Sequence, residues 1–336
     1  MESQKIKDIE ELQKIAKKIR KGIIEEVYSS QSGHPGGSLS IADILTVLYF
    51  YEMNINPENP KDGNRDRLVL SKGHCSPALY ATLANRGFFD VEELKSFRNI
   101  NGKLQGHPDM KNIPGVDMTT GSLGQGLSDA NGMAIAGKLD KKDYRVYCIL
   151  GDGEIEEGQI WEAAMASNKY KLDNLCVIVD NNNLQIDGTI EEVMSSYPID
   201  EKFKSFGFQI INIDGNDIEE IIKAFDVARN VKGNPTCIIA KTVKGKGVSF
   251  MENKVEWHGK APNEEQYKYY KMKLGSTGYS NSNDITKKPS TSNSNWWWLR
   301  SPNYYRSYIF CYVYSSGGCG SDYASTSGGV APGFSI

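Results

Sequence analysis

Two short stretches, Gly151-Asp152-Gly153 and Asp180-Asn181-Asn182-Asn183, stand at the ends of two apolar runs about one strand–helix–strand unit apart. A carboxylate such as Asp152 and a carboxamide oxygen such as that of Asn182 are hard ligands, suited to Mg2+ or Ca2+ rather than zinc. Two protein oxygens leave an octahedron unfilled, so water, a backbone carbonyl and the phosphates of a ligand would complete it. Gly153 has no Cβ and lets the backbone come close to a phosphate. A lone Gly-Asp-Gly is a common turn; joined to an Asn cluster after the next strand it becomes a much more specific signal. The chain has four histidines, and each is adjacent to a glycine: His34 in SGHPGG, His74 in SKGH, His107 in GHP and His258 in WHGK. Any one of them reads as a surface-loop histidine. Together, on turns that push side chains into a cleft, they suggest a pocket of imidazoles that moves protons near neutral pH.

These residues need a scaffold. Arg145 to Leu150 (RVYCIL) and Leu175 to Val179 (LCVIV) are short, β-branched-rich runs bounded by turn residues, which predicts buried parallel strands. Glu157 to Tyr170 reads as the helix between them. A crossover of this kind sets the two strand ends side by side, and open α/β sheets bind ligands at the carboxyl ends of their strands. Asp152 and Asn182 should therefore face one another. Thr236 to Ala240 (TCIIA) reads as a further buried strand leading into the Lys244 loop. Helices are expected over Ser40 to Tyr51, with Ser40 as N-cap, over Ser76 to Arg86, and over the glycine-dotted Gly121 to Lys138. At the N-terminus, Ile9, Leu12, Ala16, Ile19 and Ile23 fall on one face of an amphipathic helix, with Ile15 at its border. That face should pack on the sheet or on a partner. The expected architecture is α/β: a doubly wound, mostly parallel sheet flanked by helices.

Six motifs in order carry a resemblance. They are SGHPGGSLS (32–40), RDRLVLSKGHCSPALYA (65–81), TTGSLGQGLSDANGMA (119–134), GDGEIEEGQIWEAA (151–164), VDNNNLQIDG (179–188) and VKGKGVSFMENKVEWHGKAP (243–262). Over roughly Ile6 to Leu274 the chain resembles the amino-terminal, thiamine diphosphate-binding part of transketolases, most of all the split bacterial type with separate amino- and carboxyl-terminal subunits.

The resemblance implies a role for each matching position. Asp152 and Asn182 would bind Mg2+, with the backbone carbonyl of Leu184 as third protein ligand. Gly153 would contact the diphosphate through its amide. Gly121, Ser122 and Leu123 would line the cofactor, and Ile186 would pack on it. His74 and His258 would lie near the diphosphate and the reacting carbon, and His34 and His107 would meet the hydroxyls of the donor sugar or shuttle protons. Lys72 and Lys244, in glycine-rich turns, are candidate partners for cofactor or substrate phosphate, against the plainer reading of solvated lysines. Glu157 matches the acidic position that couples two cofactor sites across a dimer; otherwise it is a glutamate favoured by the helix dipole.

The activity implied is transfer of a two-carbon ketol unit from a ketose phosphate to an aldose phosphate. The family draws an activating glutamate and most sugar-phosphate contacts from a pyrimidine-binding domain, for which the 62 residues after Leu274 leave no room. The expected partners are thus a separate carboxyl-terminal subunit, in a two-plus-two heterotetramer, and sugar phosphates. The chain alone is expected to be inactive. Rival readings are another thiamine diphosphate enzyme, such as a deoxyxylulose-phosphate synthase or the α chain of an α-keto acid dehydrogenase, and a catalytically idle scaffold that displays its tail.

A net charge of −3 with both signs mixed argues against a nucleic-acid partner. No apolar run is long enough for a membrane span, and no signal peptide is present. Cys75, Cys148, Cys176 and Cys237 fall in or near apolar stretches without metal spacing and read as reduced core residues of a cytoplasmic protein.

Composition changes after Gly275. Residues 276–295 are rich in Ser, Asn, Thr and Gly and read as a flexible linker after a 1–275 domain. Residues 296–336, with WWLRSP, a Phe310 to Val313 strand and the ending GVAPGFSI, resemble the end of retroelement-diversified variable proteins with a C-type-lectin-like fold. Tyr, Ser, Gly and Asn between the fixed blocks suit a binding surface for a ligand that the sequence does not name. About 41 residues are too few for an independent lectin-like domain, even with a Cys311–Cys319 bridge, which a reducing cytosol opposes. A fragment is therefore favoured over a working patch or a small β cap.

Overall fold

The computed structural model describes residues 5–275, with side chains through residue 271, and the backbone of segments 296–303, 306–314 and 319–323. The chain divides into two compact units, Met1–Tyr267 and Lys268–Ile336.

The first unit is built on five parallel strands: β1 (Arg67–Leu70), β2 (Val146–Gly151), β3 (Leu175–Asn181), β4 (Gln209–Asp214) and β5 (Thr236–Lys241). They lie in the order β1-β2-β3-β5-β4. The register pairs Gly151 with Asp180 and Asn181 with Lys241, so the carboxyl ends of β2, β3 and β5 emerge in one row. The helices are α1 (Ile9–Ser30), α2 (Pro35–Ser40), α3 (Ala42–Val47), α4 (Ser76–Arg86), α5 (Gly126–Leu139), α6 (Gly158–Lys169), α7 (Ile190–Val193), α8 (Ile199–Ser205), α9 (Ile218–Asn230) and α10 (Glu264–Gly275).

Alternation along β2 explains the two-sided cover. Val146, Cys148 and Leu150 join a buried cluster with Leu127, Ala130, Ala134, Ile160, Ala163 and Ala164 of α5 and α6. Tyr147 points to the other face, where its ring meets Phe225 of α9 edge to face and its hydroxyl donates to Glu52 at 2.7 Å. Both faces of the central strands β2 and β3 are thus dry, as strands inside a parallel sheet require. This is the expected helix-flanked α/β fold. The four cysteines of this unit are buried and free.

Several expected elements differ in their bounds. α1 buries Leu12, Ile15, Ala16, Ile19 and Ile23, with Asp8 capping its start through the Glu10 amide. It packs against α3 and α4. Ser40 caps nothing: it is the last residue of α2, and the 40–51 helix resolves into α3 and a π-helical turn over Leu48–Glu52. Its hydroxyl is drawn instead to buried Asp180, at 2.7 Å. The helix expected from Gly121 starts at Gly126, because Gly121 and Gly124 hold positive φ in a turn. Strands β1 and β4 are not evident from the sequence. β1 hides in a charged context, and β4 is a half-exposed edge strand (QIINID) without a clean buried face.

In the second unit, β6 (Trp296–Asn303), β7 (Arg306–Tyr314) and β8 (Cys319–Tyr323) form an antiparallel sheet in that order. β7 contains the anticipated Phe310–Val313 strand. Its register sets Cys319 opposite Val313 and Cys311 opposite Ser321, so the two cysteines are not cross-strand partners. The 276–295 linker lies outside the described residues.

Candidate functional site

The carboxyl ends of the strands carry the chemistry. Asp152 follows β2 and is buried. Its Oδ1 accepts from the Gly153 amide at 3.0 Å and its Oδ2 from the Asn183 amide at 2.6 Å. The second contact brings the two turns together, as the crossover geometry requires. Burial first, and then the Asp180 carboxylate, raise the Asp152 pKa to about 7. Asn182 is also buried; its Nδ2 donates to Asp180 at 2.8 Å and its Oδ1 accepts from the Leu184 amide at 3.2 Å.

Among the described residues no group of three or more His, Cys, Asp or Glu side chains is placed to hold a metal. A divalent cation here would instead rest on one carboxylate, one carboxamide oxygen and one backbone carbonyl. That all-oxygen set fits Mg2+ or Ca2+. The Leu184 carbonyl already attracts a cation, since the Lys244 ammonium donates to it at 2.8 Å.

Three imidazoles gather nearby. The ring centroids of His34, His74 and His258 lie 5.2 to 5.4 Å apart. Burial lowers the pKa of His34 and of His74 to about 4, helped by the partner histidine for the first and by Lys72 for the second. Burial and the Lys244 charge lower His258 to about 3. All three are neutral at physiological pH. Lys244 Nζ lies 2.9 Å from His258 Nδ1; an ammonium can only donate, so this nitrogen accepts and the proton of the ring sits on Nε2. Burial and then the Lys72 charge bring Lys244 itself down to about 8.

His107 stands slightly apart, against Gly121, where an added Cβ would lie 3.1 Å from its ring. Burial and Arg98 lower its pKa. Ser122, Leu123 and Ile186 are exposed at the rim of the site, Ile186 by 65%. Glu157 is the N-cap residue of α6, exposed, and packs beside Gly124.

Lys72 is placed otherwise than expected. It is neither a solvated lysine nor open to a phosphate: it is fully buried, paired with Asp180 and donating to the Gly37 carbonyl at 3.0 Å. Burial works against its charge, but Asp180 overrides this and raises its pKa.

Three participants are not singled out by the sequence. Asp180 gathers Ser40, Lys72, Asn182 and Thr242. Glu154 accepts from Ser71, from the Gly124 amide at 3.0 Å and from the Gly151 amide at 2.9 Å, and so pins the Gly121–Gly124 turn to the end of β2. Arg98 donates to Ser32 Oγ at 2.6 Å and lends positive charge to His34 and His107. Asp180 opens the DNNN run, but nothing local in that run marks it as the residue on which Ser40, Lys72 and Thr242 converge. Nothing in the run Glu154, Ile155, Glu156, Glu157 marks which glutamate turns inward.

Comparison with known proteins follows this geometry. A family profile described as the transketolase thiamine diphosphate binding domain matches residues 11–291. One of the subunits of the apulose-4-phosphate transketolase of Phocaeicola vulgatus is 46% identical over 259 residues, covering 77% of this chain and 92% of that protein. The 6-deoxy-6-sulfo-D-fructose transketolase subunit SqwG of a Clostridium species is 46% identical over 258 residues, covering 77% and 94%. Human transketolase is 44% identical over 266 residues, covering 77% of this chain but 42% of that protein. The crystal structure of Campylobacter jejuni transketolase superposes with a TM-score of 0.75 at 38% identity, over 80% of this chain and 43% of that one. The chain spans less than half the length of these last two proteins. The family match ends at residue 291, so it lends no support to the lectin-like reading of 296–336.

Proposed function

The chain belongs to the transketolase family through its thiamine diphosphate-binding domain, and from that premise we propose that it is the diphosphate-binding subunit of a two-subunit transketolase, moving a two-carbon ketol unit from a ketose phosphate to an aldose phosphate. The observation that carries this reading is buried Asp152, bonded to the Asn183 amide beside Asn182, with Lys244 linking the adjoining Leu184 carbonyl to a cluster of three imidazoles.

Bound thiamine diphosphate supplies the carbon nucleophile and the electron sink; the protein supplies orientation, electrostatics and proton transfer. Asp152, Asn182 and the Leu184 carbonyl would hold Mg2+, and the Gly153 amide would meet the diphosphate. The Lys244 ammonium, already on the Leu184 carbonyl, adds positive charge beside it. Gly121, Ser122, Leu123 and Ile186 would border the cofactor, and the exposure of the last two is consistent with surfaces that a cofactor or partner covers. His34, His74, His107 and His258 orient sugar hydroxyls and take up or return protons. Burial leaves His34, His74 and His258 weaker bases than a free imidazole, so hydroxyl orientation is the role their geometry supports more directly than proton transfer near neutral pH. Glu157, exposed beside the Gly124 turn, would couple two cofactor sites across a self-associated dimer.

The partner is a carboxyl-terminal subunit bearing the pyrimidine-binding domain, in a two-plus-two assembly. Support comes from the names of the two relatives that this chain matches over 92% and 94% of their length: both are named as subunits, and both for sugar or sugar-phosphate substrates. The buried free thiols are in keeping with a cytoplasmic setting, and among the described residues no helix is long and apolar enough to cross a membrane. The test is reconstitution. The purified chain should show no transfer between sugar phosphates, and adding the subunit encoded beside it should restore thiamine diphosphate- and Mg2+-dependent transfer. Full turnover by the single chain overturns the two-subunit reading.

A further inference from the structure

Asp180, the last residue but one of β3, has no exposed surface. Its Oδ2 accepts from Ser40 Oγ at 2.7 Å, from Asn182 Nδ2 at 2.8 Å and from the Lys72 ammonium, and its Oδ1 accepts from Thr242 Oγ1. The four donors come from α2, the turn after β1, the turn after β3 and the turn after β5. Asp180 is thus a buried carboxylate at the row of strand ends, like Asp152 and Glu154, yet donors surround it on every side and none of its faces is open to a cation.

Asn182 presents the opposite situation. Its carboxamide has two ends of nearly equal shape and opposite hydrogen-bonding character, so packing alone does not decide which end faces out. An ionised carboxylate can only accept, and it tolerates only the NH2 end of Asn182. Oδ1 is then left facing the Leu184 turn, where the expected cation would sit and where the Leu184 amide donates to it at 3.2 Å; a cation on Oδ1 competes with that weak donor, so in the loaded site the Asp180 contact is the one that holds the amide. A carbonyl oxygen can ligate Mg2+; an amide NH2 cannot.

We propose that Asp180 is a positioning residue that fixes the amide orientation of Asn182, so that the oxygen rather than the nitrogen meets the divalent cation, while Asp180 itself never touches the metal. This rests on the cofactor-site reading given above. The Lys72 ammonium completes the device, because its ion pair with Asp180 occupies that carboxylate and so removes it from competition for the cation.

The test is a double-mutant cycle on the full chain, read as Mn2+-dependent uptake of thiamine diphosphate by calorimetry. Asp180→Ser leaves a hydroxyl and room for water, which both donate and accept, so that only the long Leu184 amide contact still favours the oxygen end. It should weaken uptake at least tenfold. In an Asn182→Asp background both ends of side chain 182 are oxygen, there is no orientation to set, and Asp180→Ser should change uptake less than twofold or improve it. Equal losses in the two backgrounds mean a merely structural role and overturn the proposal. No uptake by the unsubstituted chain overturns the cofactor-site reading as well, which separates the two failures. Where a variant does not fold or bind, the side-chain NH2 signals of Asn182 decide. In NMR spectra of the unsubstituted chain, assigned by their absence from Asn182→Asp, they should exchange slowly with water and stay put when Mg2+ and thiamine diphosphate are added. Rapid exchange overturns the proposal.

Discussion

Replacing Asp152 by Asn should stabilise the unloaded protein above neutrality while abolishing its response to cofactor. The Asp152 pKa rises from an ordinary 3.8 to about 7, first through burial and then through Asp180. The native state therefore keeps a proton that the unfolded chain has already lost, and stability falls as pH climbs from about 4 to about 7. Above pH 7 the full cost of holding the ionised group is on the order of 4 kcal/mol, at about 1.4 kcal/mol per pH unit. Asparagine removes the charge but turns an NH2 toward one of the two backbone amides that Asp152 now satisfies, which costs about 1–3 kcal/mol. The net gain at pH 8 is about 1–3 kcal/mol, a rise of a few degrees in Tm. At pH 5 most of the electrostatic relief is gone, and the variant should be no more stable than its parent. Thermal melts at the two pH values, with and without Mg2+ and thiamine diphosphate, read both effects. A variant without added stability at pH 8, or one that still gains Tm from cofactor, refutes the reasoning.

Gly121→Ala should cost more than about 1 kcal/mol, because the position holds φ +148° and the new Cβ would press on the His107 ring at 3.1 Å; a lowered Tm with shifted His107 imidazole resonances is the expected pair of signals. Glu154→Gln leaves one donor among Ser71, Gly124 and Gly151 without its acceptor and should lower stability by about 1–3 kcal/mol, with faster hydrogen exchange at the Gly124 amide. Deleting residues 276–336 should leave cofactor uptake within twofold, since a relative at 46% identity is matched over 92% of its own length by 259 residues of this chain; loss of uptake would assign the tail a part in the site.

What can be read from the sequence follows from local chemistry. The β-branched runs before Asp152 and Asn182 announce adjacent parallel strands, and the glycine beside each histidine announces turns at a cleft. β4 is illegible because an edge strand with half-exposed isoleucines shows neither clean alternation nor an unbroken apolar run. Lys72 and Ser40 mislead for a related reason. Their chemistry suits phosphate or a helix cap, and only the fold reveals that Asp180, more than a hundred residues later, claims both. Pairing across such separations leaves no periodic trace. Glu154 shares that difficulty, since its three donors arrive from three different segments.

The uncharged state of the clustered rings has a consequence for how the enclosure behaves when it fills. Burial does most to suppress the basicity of His34, His74 and His258, and the Lys244 ammonium adds to it at each ring. An anion bound beside Lys244 should offset that charge and raise the proton affinity of the rings by the part that Lys244, rather than burial, holds down. A ligand that arrives with negative charge would thus adjust the acid–base character of the groups that receive it.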